Sequence, residues 1–171
     1  PNVPFTIGYA GRLVEQKGLR VLVEALAGLG GEWRLMLCGT GPLKAELQAQ
    51  LRSLGLAGRV RFQDHVPSEE MSRYLREMDV LVLPSLTRPN WKEQFGRVLI
   101  EAMACGVPVI GSDSGEIPHV IGDAGLIFPE GDARALRSLL ARLQEEPALR
   151  RELAAKGRAR VLAHYTQTRI A

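Results

Sequence analysis

Apolar positions along this chain switch repeatedly between short unbroken runs and a recurrence of three to four residues, the two periods that separate buried strands from amphipathic helices. Phe5 to Ala10 reads as a strand ending at Gly11, after which Leu19, Leu22, Leu26 and Leu29 recur at helical spacing. Trp33 to Leu37 is the next strand. Gly39-Thr40-Gly41-Pro42 follows it, with Pro42 suited to a first helical turn, and Leu43, Leu47, Leu51 and Leu54 mark a helix closed by Gly55. Val60 to Phe62 reads as a short strand, and Ser68 ahead of Met71 as the cap of a short helix. Val80 to Leu83 is apolar throughout, as a strand covered on both faces must be. Val98 to Ala104 is a helical run stopped by Gly106 and Pro108, and Val107 to Ile110 reads as a buried strand. A Gly-rich loop over Gly111 to His119 and a short strand Gly125 to Phe128 come next. Leu136, Leu139, Leu140 and Leu143 form a helix that Pro147 ends, and Leu149, Leu153 and Val161 belong to a last helix. This alternation predicts an α/β fold, a doubly wound parallel sheet with ligands at the carboxyl ends of its strands.

Composition narrows the class without naming an activity. With 171 residues, 46% hydrophobic and 24% charged, the chain has the makings of one soluble globular domain. No apolar run approaches membrane-spanning length, and no cationic start leads into an apolar segment. The chain begins with Pro1, which suits a piece of something longer. Cys38 and Cys105 are the only cysteines, both in apolar company, as expected of reduced, packed thiols in a cytoplasmic protein. The net charge is +3, and Arg and Lys crowd Arg134 to Arg160; Glu145, Glu146 and Glu152 interrupt them, so a solvated helical face fits better than a nucleic-acid surface.

The chemistry concentrates in one phrase. Glu93 and Glu101 stand eight positions apart, Phe95 and Gly96 follow the first, and Glu101 interrupts an otherwise apolar helical run. A charge there must be solvated or partnered, because burying it bare is costly. Glu93 falls on the loop entering the helix, and free amides near Phe95, Gly96 and Arg97 make the helix start a seat for an anion. A ligand with hydroxyls at both ends and negative charge between them suits this arrangement. In the loop after the first strand, Gly11-Arg12-Leu13 and Lys17-Gly18 add a planar fork and a mobile point charge for phosphate oxygens. Cys38-Gly39-Thr40-Gly41 invites a dinucleotide-fold reading, with Asp64 placed for a ribose diol, but Lys44 stands where the third glycine belongs. His65, His119 and His164 share no ligand spacing with either cysteine, and no H-E-x-x-H, C-x-x-C, D-x-D or G-x-S-x-G is present.

The phrase Glu93 to Ile110 resembles the E-x7-E motif of the retaining GT-B glycosyltransferases, of the glycosyltransferase group 1 or family 4 type. The Arg12–Lys17 loop and the Gly39-Thr40-Gly41-Pro42 turn resemble the same family. The likeness covers nearly the whole chain, 1–171, and implies the Rossmann-like C-terminal half of a GT-B fold, a single domain binding a nucleotide-sugar donor. The N-terminal acceptor domain would then lie outside this sequence. By that resemblance Arg12, Lys17 and Glu93 are the catalytic group, the two cations on the diphosphate and Glu93 on the hydroxyls of the transferred sugar. Gly11, Gly39, Gly41, Val66, Phe95, Gly96, Val98 and Glu101 would line the donor, Val66 near the nucleobase and Glu101 on the ribose. No metal and no cofactor is implied, and a full-length enzyme of this kind is compatible with peripheral membrane contact. Asp64, Glu116 and His119 depart from the family's usual pattern and carry no role from it; Trp91 reads as a packing residue. Two rivals remain: a dinucleotide-binding domain of an oxidoreductase, and a non-catalytic nucleotide-sugar-binding module. Donor base, sugar and acceptor are not written in these residues.

Overall fold

The computed structural model describes residues 4–165. Six strands form one sheet in the order β3-β2-β1-β4-β5-β6, namely β1 (Phe5–Ala10), β2 (Trp33–Cys38), β3 (Val60–Gln63), β4 (Val80–Leu83), β5 (Val109–Ser112) and β6 (Leu126–Phe128). Every pairing is parallel. The connections carry α1 (Leu19–Ala27), α2 (Lys44–Ser53), α3 (Met71–Leu75), α4 (Arg97–Ala104), α5 (Ile117–Ile121), α6 (Ala133–Glu145) and α7 (Pro147–His164). Helix α1 packs on α2 and α6, whereas α4 packs on α3, α5 and α7. Right-handed crossovers that run outward from β1 to β3 and then outward again from β4 to β6 put these two helix groups on opposite faces.

The core follows from the apolar runs. Ile7, Leu22, Leu26, Leu35, Val80, Val82 and Leu136 are fully buried. Each such aliphatic side chain stabilises the fold by about 1.5–3 kcal/mol through its removal from water. Trp33 is also sealed; its indole N–H donates to the Leu29 carbonyl at 3.1 Å, and the Arg59 guanidinium lies 4.8 Å from its ring. The strand order reverses between β1 and β4, which are hydrogen-bonded neighbours. The loops leaving these two strands lead to helices on opposite faces, and a crevice opens at the carboxyl ends beside them.

Several local expectations are corrected. Strand β5 runs from Val109 to Ser112 rather than Val107 to Ile110, since Pro108 has no N–H for the ladder and contributes only its carbonyl, to Leu81 N at 2.9 Å. Gly111 belongs to this strand, paired with Leu83 and Ile127, and it is bare because an added Cβ would sit 2.4 Å from Ile117 Cγ2 and 2.9 Å from Ile121 Cδ1. The stretch read as a Gly-rich loop thus contains helix α5, docked closely on that bare backbone. Ser68 caps nothing: a 3-10 turn, Ser68–Glu70, precedes α3 without a side-chain cap. Pro42 lies in the turn before α2, which begins at Lys44 after the Leu43 amide is taken by the Leu13 carbonyl at 3.0 Å. Strand β6 starts at Leu126, one residue later than expected.

Candidate functional site

The loop after β1 is shaped by its neighbours. Gly11 N donates to Cys38 O and Leu13 N to Thr40 O, both at 2.9 Å, so this loop lies directly on the one after β2. A Cβ on Gly39 would fall 1.9 Å from the Gly11 carbonyl oxygen, and one on Gly41 2.4 Å from that of Leu13. The room these two glycines leave is filled by protein backbone. Beneath the loop, the buried Tyr9 hydroxyl donates to the Arg12 carbonyl at 2.6 Å. Burial first, and the negative charge of Glu93 second, push this phenol far above its ordinary range, so it stays a neutral donor. At the far end of the loop Gly18 adopts a left-handed φ of 73°, where a Cβ would meet the Pro84 carbonyl oxygen at 1.8 Å. The loop after β1 is thereby pressed against the one after β4.

That contact brings Lys17 to Glu93, although they are far apart in sequence. Lys17 Nζ lies 3.0 Å from Glu93 Oε1 and 5.4 Å from the Trp91 ring centroid. Glu93 is only 9% exposed; Ser85 Oγ donates to the same Oε1 at 2.7 Å, and the Glu116 amide donates to the Glu93 carbonyl at 3.0 Å. Gly96 then opens α4 in a left-handed conformation, φ 61° and ψ 47°, with no side-chain cap. The first amides of α4 have no intrahelical acceptor and carry the positive end of the helix dipole. Glu101 lies just over one turn in. It is exposed at the rim of the site, yet partial desolvation raises its carboxyl above the usual carboxylate range, and Arg97 opposes that rise.

These groups border one crevice of about 400 Å³ that brings together Gly11, Arg12, Lys17, Glu93, Gly96, Val98 and Glu101, with Met71 and Arg97 as further walls. A second hollow of about 230 Å³ shares Gly11, Arg12 and Met71 with it and adds Gly39, Thr40, His65 and Val66. Of the residues named from sequence, Gly41 and Phe95 line neither hollow; Gly41 shapes the loop, and Phe95 is half exposed with its ring 6.4 Å from that of Tyr165. No specific role was legible in sequence for Ser85, Tyr9, Gly115 or Met71, because nothing local marks such residues as supports or walls for groups elsewhere in the chain. Asp64 is engaged by Lys44 at 2.6 Å, so the acid that a dinucleotide reading would assign to ribose is held by the residue replacing the third glycine. Cys38 borders the smaller hollow, but its thiol is buried and pushed up to about 11 by that burial, which makes it a poor nucleophile. Larger hollows of about 780 and 570 Å³ lie around Phe5 and Arg34, at the amino ends of the strands. Both also carry opposite charges, such as Arg61 and Glu77 in one and Asp79 and Arg150 in the other, but they lie away from the carboxyl ends of the strands, where ligands of this sheet type bind. Among the described residues, no group of three or more His, Cys, Asp or Glu could hold a metal ion, and no helix is long and apolar enough to cross a membrane.

Comparison with known proteins places this geometry in company. Residues 1–160 match the family described as glycosyl transferases group 1. The amylovoran biosynthesis glycosyltransferase AmsK of Erwinia amylovora is 37% identical over 170 residues, 96% of this chain and 42% of that protein. Among solved structures, sucrose-phosphate synthase from Thermosynechococcus elongatus superposes with a TM-score of 0.87 at 34% identity, over 99% of this chain and 43% of that one. HepE of Anabaena, solved in complex with UDP and glucose, gives 0.84 at 25% identity, over 93% and 44%. The chain spans about two fifths of the length of curated relatives that it matches.

Proposed function

This chain belongs to the glycosyl transferases group 1 family, and from that premise we propose that it is the half of a retaining glycosyltransferase that binds the nucleotide-sugar donor. The observation that carries the proposal is the single crevice in which Arg12 and Lys17, Glu93, the α4 amino terminus and Glu101 converge. A donor of this class calls for that set of groups: carboxylates for hydroxyls at either end, cations and free amides for the diphosphate between them. Glu101 accepts the ribose hydroxyls, Arg12, Lys17 and the first amides of α4 meet the diphosphate, and Glu93 with the backbone at Phe95 and Gly96 holds the transferred sugar. The hollow beside Gly39, His65 and Val66 takes the nucleobase. HepE, crystallised with UDP and glucose, supports a donor of this class.

In the reaction proposed, the bond from the anomeric carbon to the β-phosphate oxygen breaks and its electron pair leaves on the diphosphate. The acceptor oxygen bonds to that carbon on the same face and gives up its proton to the departing phosphate oxygen. Arg12 and Lys17 stabilise the charge that develops on the leaving group, the electrostatic contribution that is commonly largest in such steps. With two cations and a helix terminus facing the diphosphate, binding requires no metal. The acceptor and the opposite wall of the cleft come from another domain, so this chain alone binds donor and transfers little.

Thermal unfolding with UDP, GDP and ADP tests the reading. A half-site of about 100 μM affinity, or about 5.5 kcal/mol, saturated a hundredfold adds roughly 2.7 kcal/mol to stability. That raises the midpoint by about 5–10 °C at this chain length. One of the three nucleotides should give most of that shift, NAD and FMN none, and the shift should survive EDTA. A shift with NAD alone would favour the dinucleotide reading, and one abolished by EDTA and restored by magnesium would end the metal-free reading.

A further inference from the structure

Both side-chain hydrogen bonds to Glu93 end on one oxygen. Oε1 accepts from Lys17 Nζ at 3.0 Å and from Ser85 Oγ at 2.7 Å. No described residue bonds Oε2, yet Oε2 is not a sealed, unpartnered atom. Glu93 lines the crevice, and of its two carboxylate oxygens Oε2 is the one left uncommitted by the described residues.

The two donors on Oε1 differ in kind. Lys17 is a point charge on a flexible stem, its side chain 21% exposed, and an anion entering the crevice competes with Glu93 for it. Ser85 cannot be drawn away. It is fully buried just beyond β4, and its carbonyl accepts a hydrogen bond at 2.6 Å from Ser112 Oγ, itself fully buried at the end of β5. On the other side of Glu93, Gly115 approaches so closely that a Cβ there would lie 2.1 Å from the Glu93 carbonyl oxygen. Backbone is thus held by the β5–α5 turn and carboxylate by Ser85.

We propose that Ser85 is a positioning residue whose buried hydroxyl fixes the Glu93 carboxylate with Oε2 toward the crevice, and keeps Oε1 hydrogen-bonded when Lys17 turns to the diphosphate. This rests on the reading of Glu93 as the acceptor for the sugar's hydroxyls. The terminal torsion of a glutamate is intrinsically broad. Without Ser85, the departure of Lys17 would leave the carboxylate free to rotate at the moment the sugar must be held.

Calorimetric titration of the whole chain tests this, with UDP against UDP-glucose, GDP against GDP-mannose and ADP against ADP-glucose. Ser85→Ala should leave affinity for the bare nucleotide within about twofold and reduce the added affinity for the sugar-bearing form about tenfold, the effect of one hydrogen bond to a charged group. Glu93→Gln should reduce it similarly, and the double variant should be no worse than Glu93→Gln alone. Ser85→Thr, which restores a hydroxyl, should recover the preference; where its extra methyl overpacks the site, the cycle with Glu93→Gln decides alone. A Ser85→Ala protein that melts lower but keeps the full preference would make Ser85 merely structural. Additive losses in the double variant would show that it acts apart from Glu93. An unchanged preference in Glu93→Gln, or binding of none of the three nucleotides, would overturn the donor reading and this proposal with it. Loss in Glu93→Gln but not in Ser85→Ala overturns this proposal alone.

Discussion

Replacing Lys17 by Met keeps most of the aliphatic stem and deletes the charge, leaving Glu93 with Ser85 as its remaining side-chain donor. Removing one partner of a fully buried pair costs about 3–5 kcal/mol, because an uncompensated charge stays behind; an exposed pair is worth about 0–1 kcal/mol. Glu93 is 9% exposed, but the Lys17 side chain is 21% exposed and Ser85 still donates, which places this pair between the limits. A loss of about 1.5–3 kcal/mol follows, or roughly 3–12 °C in melting temperature at this chain length. The diagnostic variant is the second one. Adding Glu93→Gln to Lys17→Met removes the bare charge and should regain most of the loss, so the double variant melts above Lys17→Met. Thermal unfolding followed by far-ultraviolet circular dichroism, at low and high salt, measures all four proteins; the coupling should persist in salt because the pair is largely shielded from it. Strictly additive shifts, or a Lys17→Met loss below about 1 °C, would refute the claim that folding joins these two residues electrostatically.

The raised carboxyl of Glu101 has a definite sign: its protonated form is favoured in the folded state, so the stability it contributes is full below the unfolded-state pKa and is lost as pH rises through the folded one. Glu101→Gln should therefore melt slightly above the parent at neutral pH and level with it in acid, while losing the preference for ribose over deoxyribose nucleotides; a neutral-pH melt below the parent would contradict this. Gly115→Ala combines a left-handed φ of 52° with a clash against the Glu93 carbonyl, and should cost more than about 2 kcal/mol and the sugar preference together. Gly30, where an added Cβ meets nothing within 4 Å, is the control, with little change on conversion to Ala; equal losses at both glycines would sink the argument.

Periodicity alone was enough to read the alternating elements, because burial on both faces demands unbroken apolar strands such as Val80 to Leu83, and helices packed on them need one apolar stripe. The same reading failed where a constraint came from elsewhere in the chain. Gly111 resembles loop glycine in sequence and is strand in fact, since the reason for its bare backbone is the pair Ile117 and Ile121 pressed upon it. Sequence also marked Arg12, Lys17, Glu93 and Glu101 as the charged positions of interest, through spacing and a resemblance that depends on residue types in order. It could not say that Lys17 and Glu93 bond to each other, that Ser85 shares the same carboxylate oxygen, or that Gly39 and Gly41 make room for neighbouring backbone. Those facts arise only when the reversal of strand order between β1 and β4 sets two remote loops side by side. Local pattern determines which segments become strand or helix, because hydrogen bonding and burial act along the element; which side chains meet at the crevice is decided by the order in which the strands are laid into the sheet.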